Sequence, residues 1–152
     1  MTRMSFVGDK NEVHESHLPA TAQYPSINVA EFQGIYHFLS NESEMGILHY
    51  LTIARVTVNS ELNELVTQHG TLDVVSTHWF GEPQTGTTLY KQAVLSLAAH
   101  AIVGNKLSTD ATAEAADRQE ALQQKADNCL VQYRQAVDLL LYGKATYTFE
   151  VV

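Results

Sequence analysis

The sequence predicts an all-α fold: a four-helix bundle-like body with an extended N-terminal arm and a short C-terminal β-strand. Three observations carry that expectation. Apolar residues recur at intervals of three and four over four separate segments, the spacing of one buried helix face. The connections between those segments are short except one, residues 71–86, and short connections favour antiparallel neighbours. The two ends break the pattern, since residues 1–26 keep no period and the closing TYTFEVV alternates residue by residue as a strand does. The chain is therefore divided into an arm (1–26), a helical bundle domain (27–143) and a C-terminal strand (144–152).

The arm carries Gly8, Pro19 and Pro25, and its apolar residues Phe6, Val7, Val13 and Leu18 are too sparse to build a core. The first helix is expected from Asn28 to about Asn41. Asn28-Val-Ala-Glu31 has the form of a capping box, and Phe32, Ile35, Tyr36 and Leu39 give the stripe. A longer helix spans Glu44 to His69 on Leu48, Leu51, Val58, Leu62 and Leu65, with Arg55 filling the vacant heptad position. TIARVTV within it is β-branched, but the stripe runs unbroken into ELNELV and favours helix. Gly70 then suits the left-handed turn that ends a helix.

Residues 71–86, TLDVVSTHWFGEPQTG, read as one long loop punctuated by Gly81, Pro83 and Gly86. Trp79 and Phe80 on it either fold back as a lid or meet another chain; aromatic burial favours the lid. The third helix is expected from Thr87 to Lys106, with an alanine-rich face in LYKQAVLSLAAHAIV. After the polar STDATAEAAD, the last runs from Ala113 to Tyr142 on Leu122, Ala126, Cys129, Tyr133, Val137 and Leu140, and Gly143 ends it. A single strand needs a partner, so Thr146–Val152 is expected to pair with the arm, the loop or another subunit.

At 152 residues the chain is long enough for one domain with a real core. A net charge of −8, from 17 acidic and 9 basic residues, argues against a protein that works by neutralising phosphates. It suits one past which DNA must slide without sticking. One cysteine, Cys129, permits no intrachain disulfide and suits a reducing compartment. No apolar run approaches the roughly 18–20 residues that span a bilayer, and the N-terminus lacks a secretory apolar block, so a soluble protein is expected.

Chemistry finds little support. His14 and His17 are the one close histidine pair, and zinc needs three or four ligands in a fixed array. A metal-assisted hydrolase built on them is the weakest reading. Cys129 lies mid-stripe, a packing position rather than the electropositive, accessible setting of a thiolate nucleophile. His100 among alanines reads as a packed or edge histidine. Glu42 with Glu44, Glu61 with Glu64, and Glu114 with Asp117 read as solvated helix faces. There is no phosphate loop or nucleophile elbow, and the basic residues form no stripe. No enzyme, metal or cofactor is expected; protein binding remains. One such reading is a cytoplasmic helical adaptor or regulator that binds a protein partner through the 71–86 loop.

A resemblance sharpens the other. GTLDVV, then GEPQTGTTLYKQAVLSLAAHAI, a polar break and a helix containing YRQAVDLLLYG resemble the head completion proteins, gene product L, of temperate phages with contractile tails. YPSINVAEFQGIYHF resembles that family's entry into its first helix, so the similarity covers about residues 24–152. The chain departs from the family in its acidity and in the Trp79-Phe80 pair. The resemblance implies a virion protein of the phage neck, at the head–tail junction, assembled in the bacterial host cytoplasm. It implies a homo-oligomeric ring, a dodecamer, under the portal protein, facing a tail or tail-terminator protein. DNA would pass through its channel without sequence-specific binding, and no membrane is involved. Phe6, Trp79, Phe80, Tyr147, Phe149 and Val151 are the residues expected to meet partners, because extended segments add contact area by strand addition.

Overall fold

A computed structural model describes residues 12–109 and 116–145. Two short antiparallel strands, β1 (His17–Leu18) and β2 (Ile27–Asn28), pair His17 with Asn28 and Leu18 with Ile27. Five helices follow: α1 (Val29–Ile35), α2 (Glu44–His69), α3 (Leu72–Phe80), α4 (Gln84–Thr109) and α5 (Ala116–Tyr142), with a 3-10 turn at His37–Leu39 after α1. The body is mostly helical, as the periodicity predicts.

α2 has the limits read from the sequence. The Ser43 hydroxyl accepts from the Gly46 amide (3.0 Å), and Gly70 takes a positive φ of 90° beyond the last turn. Its buried face is Ile47, Leu51, Ala54, Val58, Leu62 and Val66, so the stripe lies slightly around the helix from the expected one, with Leu48 and Leu65 half-buried. Arg55 is buried within it, as its heptad position suggests.

Three expectations are corrected. Residues 71–86 are not one long loop, because α3 occupies nine of them. The Thr71 hydroxyl accepts from the Val74 amide (3.3 Å), Leu72, Val75 and Ser76 are buried, and Gly81 at φ 79° ends the helix. The described body thus has five helices rather than four. The first helix also ends early, at Ile35. Tyr36 leaves helical geometry (φ −110°, ψ 68°), which buries its own ring and leaves Ile35 55% exposed instead of on the stripe. The Asn28–Glu31 capping box does not close, since Asn28 makes no side-chain cap bond. The Val29 amide instead donates to the Ser16 carbonyl (3.0 Å), so arm backbone serves part of the first turn.

α4 is the centre of the fold, in contact with α2, α3 and α5. That explains its composition. Tyr90, Ala93, Val94, Leu95, Ala98, Ala99, Ile102 and Val103 are buried on several sides, as a helix enclosed by neighbours requires. Its widest contact is with α5, through Ala126, Cys129, Tyr133, Ala136, Val137 and Leu140. Small side chains on both helices let the backbones approach closely. Where α3 meets α4, Gly86 lies so near Ser76 that an added Cβ would sit 2.7 Å from the serine Cβ. The predicted tail strand, Thr146–Val152, lies outside the described residues.

Candidate functional site

Trp79 and Phe80 end α3, and the structure folds Trp79 back onto its own chain. The indole Nε1 donates to the Leu140 carbonyl (3.1 Å) near the end of α5, and the ring lies over Gly143. Gly143 has φ 71°, and a Cβ there would meet indole carbons at 2.4 Å. Trp79 is still 37% exposed, so it closes the corner between α3 and α5 while showing one edge to solvent; Phe80 is half-buried. His78 packs at 4.7 Å from the indole and stacks at 5.7 Å on His69 of α2. Phe6, Tyr147, Phe149 and Val151 lie outside the described residues.

The described part of the arm docks on the same chain. Gln33 acts as a stand-in strand: its Nε2 donates to the Glu12 carbonyl (2.7 Å), and its Oε1 accepts from the His14 amide (2.9 Å). Glu44, in the first turn of α2, receives the Ser16 hydroxyl and faces His14 Nδ1 at 3.2 Å. Tyr24 then buries its ring against Tyr90, centroids 5.0 Å apart, while residues 19–23 between the two attachments are exposed. This strap was not legible in the sequence, because its partners are 19 to 28 residues away and each is an ordinary polar residue.

The remaining polar groups tie helices together. His100 Nδ1 lies 2.9 Å from the Ala126 carbonyl, a cross-link between α4 and α5. Tyr133 donates to Glu61, Tyr36 donates to Gln132 (3.1 Å), and Tyr90 donates to Asn59 (2.5 Å). Burial pushes the Tyr90 hydroxyl up to about 12 against the pull of the neighbouring Arg55 guanidinium, and raises Tyr36 and Tyr133 as well. Burial likewise pushes the Cys129 thiol up to about 11, so at neutral pH it is a packed thiol and no nucleophile. Lys91 pairs with Glu31 (2.8 Å) and Lys106 with Glu42 (2.6 Å), while Lys125 lies over the Phe38 ring at 4.2 Å.

Among the described residues no three His, Cys, Asp or Glu converge as a metal site needs. His14 faces Glu44, while His17 in β1 is exposed. A cleft of about 330 Å³ between residues 20–25 and the starts of α3 and α4 is lined by Thr21, Gln23, Tyr24, Thr71, Asp73 and Thr87, and another of about 520 Å³ by Glu12, Val13, His14, Glu15, Ser16 and Glu44.

Comparison with protein families gives a direct answer: the model of the phage head completion protein (GPL) matches residues 18–152. The chain belongs to that family. No curated protein and no solved structure matches it. The match begins in β1 and takes in α1 to α5. Membership makes this a structural, virion-associated protein that takes part in completing the phage head and works with other head and tail proteins. Among the described residues no helix is long and apolar enough to cross a membrane.

Proposed function

We propose that this head completion protein assembles after DNA packaging as a ring of twelve copies beneath the portal, at the neck, where it extends the channel and presents a surface to the tail or its terminator. The observation that carries the reading is the family match over residues 18–152. A negative balance of −8 supports it, since acids around a channel let DNA slide past without adhering. The arm, the C-terminal segment from Thr146 and the Trp79–Phe80 corner serve as the contacts, with Phe6, Tyr147, Phe149 and Val151 as anchors. Loop capture of a cytoplasmic partner by residues 71–86 is disfavoured, because Leu72 and Val75 there belong to the protein's own buried interior.

The test is to mix the purified chain with its cognate portal and follow both by sedimentation and electron microscopy. The reading expects the chain alone to be a monomer or weak oligomer, and to form annular density on one end of the portal. Absence of any association would sink it. Removing Thr146–Val152 is expected to weaken that assembly while leaving the helical body folded.

A further inference from the structure

The described part of the arm runs along α1 in a definite direction. The Val29 amide, at the start of α1, donates to the Ser16 carbonyl, while Gln33, a turn further on, holds both the His14 amide and the Glu12 carbonyl. Tracing the arm backwards from Ser16 to Glu12 therefore leads from the first turn of α1 to its last. Residues before Glu12 are aimed past Gly34 toward His37. A cleft of about 220 Å³ opens there, lined by Glu12 and Val13 of the arm, Ala30 and Gly34 of α1, and His37 beyond it. Its surroundings leave apolar surface in water, since Val13 is 66% and Ile35, next to Gly34, 55% exposed. Gly34 has no positive φ, and within a helix glycine is less stable than alanine. A Cβ added there would meet no described atom within 4 Å, so packing among the described residues does not call for glycine.

We propose that in the free chain residues 1–11 fold back over this cleft and seat Phe6 in it. The tether decides the occupant. Phe6 stands six residues before Glu12, which itself borders the cleft. Six residues span up to about 20 Å, against about 10 Å for the whole of α1. A segment tethered at the rim of its own site meets it at an effective concentration in the millimolar range, far above that of a free competitor in dilute solution. Met4, Phe6 and Val7 bring apolar side chains, of which Phe6 is the largest. Charge agrees with the assignment. Residues 1–11 carry Arg3 and Lys10 against Asp9, a net +1, so the rest of the chain carries −9, and Glu12, Glu15 and Glu44 lie together where the segment joins the body. The inference stands apart from the ring reading. Phe6, assigned above to partner contacts, is stowed in the free chain and is released when assembly begins.

The experiment uses the full chain in dilute solution without portal. One preparation carries p-benzoylphenylalanine at His37 and a second at Ala30, both exposed and both lining the cleft. Isotopically light and heavy copies are mixed and irradiated, adducts are mapped by mass spectrometry, and folding is checked by thermal melting. The proposal expects adducts to residues 4–7 within single copies, light to light and heavy to heavy. It also expects Phe6→Ser to cut their yield at least fivefold, with the helical body still folded. Mixed light–heavy adducts would place another copy's segment in the cleft, and an undiminished yield from Phe6→Ser would mean nearness without seating; either overturns the proposal. Absence of adducts to residues 1–11 from both positions overturns it too. Should one labelled chain fail to fold, the other decides. Each of these outcomes leaves the ring reading standing, because that is tested on the portal.

Discussion

Gly143→Ala is expected to destabilise the protein through one identified contact. Gly143 has φ 71°, where a side chain costs about 1–2 kcal/mol. The added Cβ would also stand 2.4 and 2.7 Å from two indole carbons of Trp79, so the ring must move. Moving it breaks the bond to the Leu140 carbonyl, worth about 0.5–1.5 kcal/mol net, and loosens the α3–α5 corner. The sum is about 1.5–3.5 kcal/mol, which for a chain of this length lowers the melting temperature by roughly 3–14 °C. Urea unfolding followed by circular dichroism gives the stability. Emission from Trp79, the one tryptophan in the sequence, reports the ring's displacement independently. In a Trp79→Ala background the same substitution is expected to cost only the backbone part, about 1–2 kcal/mol, giving a coupling of about 0.5–1.5 kcal/mol. Equal cost in both backgrounds, or unchanged emission in Gly143→Ala, would refute the contact.

Further outcomes follow from the same structure. Cys129 is expected to resist thiol reagents at pH 8 in the folded chain and to react fully once unfolded; prompt labelling of the native protein would contradict its burial. Its folded value lies above the ordinary 9.0, so its contribution to stability is complete below pH 9 and is lost as pH rises toward 11; Cys129→Ala should flatten that part of the curve, measured by urea unfolding at stepped pH. Ala99→Leu, in the fully buried centre of α4, is expected to cost about 1–3 kcal/mol by overpacking, and a stability unchanged within error would show a looser centre. Gln33→Ala should release residues 12–18 and speed proteolysis within 12–23, while the helical body keeps its cooperative transition; unchanged cleavage would mean that Gln33 does not hold the strap.

The legible parts of the fold were those with local causes. α2 was delimited because its stripe runs unbroken to Gly70, and Gly143 likewise marks the end of α5; the Ser43 cap is what the structure adds. α3 was missed although its signals were present: Thr71 as cap, Leu72, Val75 and Ser76 at helical spacing, and Gly81 after the last turn. Two glycines, a proline and two large aromatics in sixteen residues outweighed a nine-residue helix that owes its stability to burial of Leu72 and Val75 against neighbours. The early stop of α1 was beyond local reading, because Tyr36 turns inward to reach Gln132, 96 residues away. The lid role of Trp79 could be guessed from aromatic burial, but its acceptor at Leu140 could not.

The most direct measurement for the account is a cryo-electron microscopy reconstruction of the neck of filled, tail-bearing particles. The account predicts a closed annulus of this chain's five-helix body directly under the portal, twelve copies around, with DNA on the axis. A neck in which the portal abuts the tail with no such layer, or in which this chain sits elsewhere in the head, would contradict it.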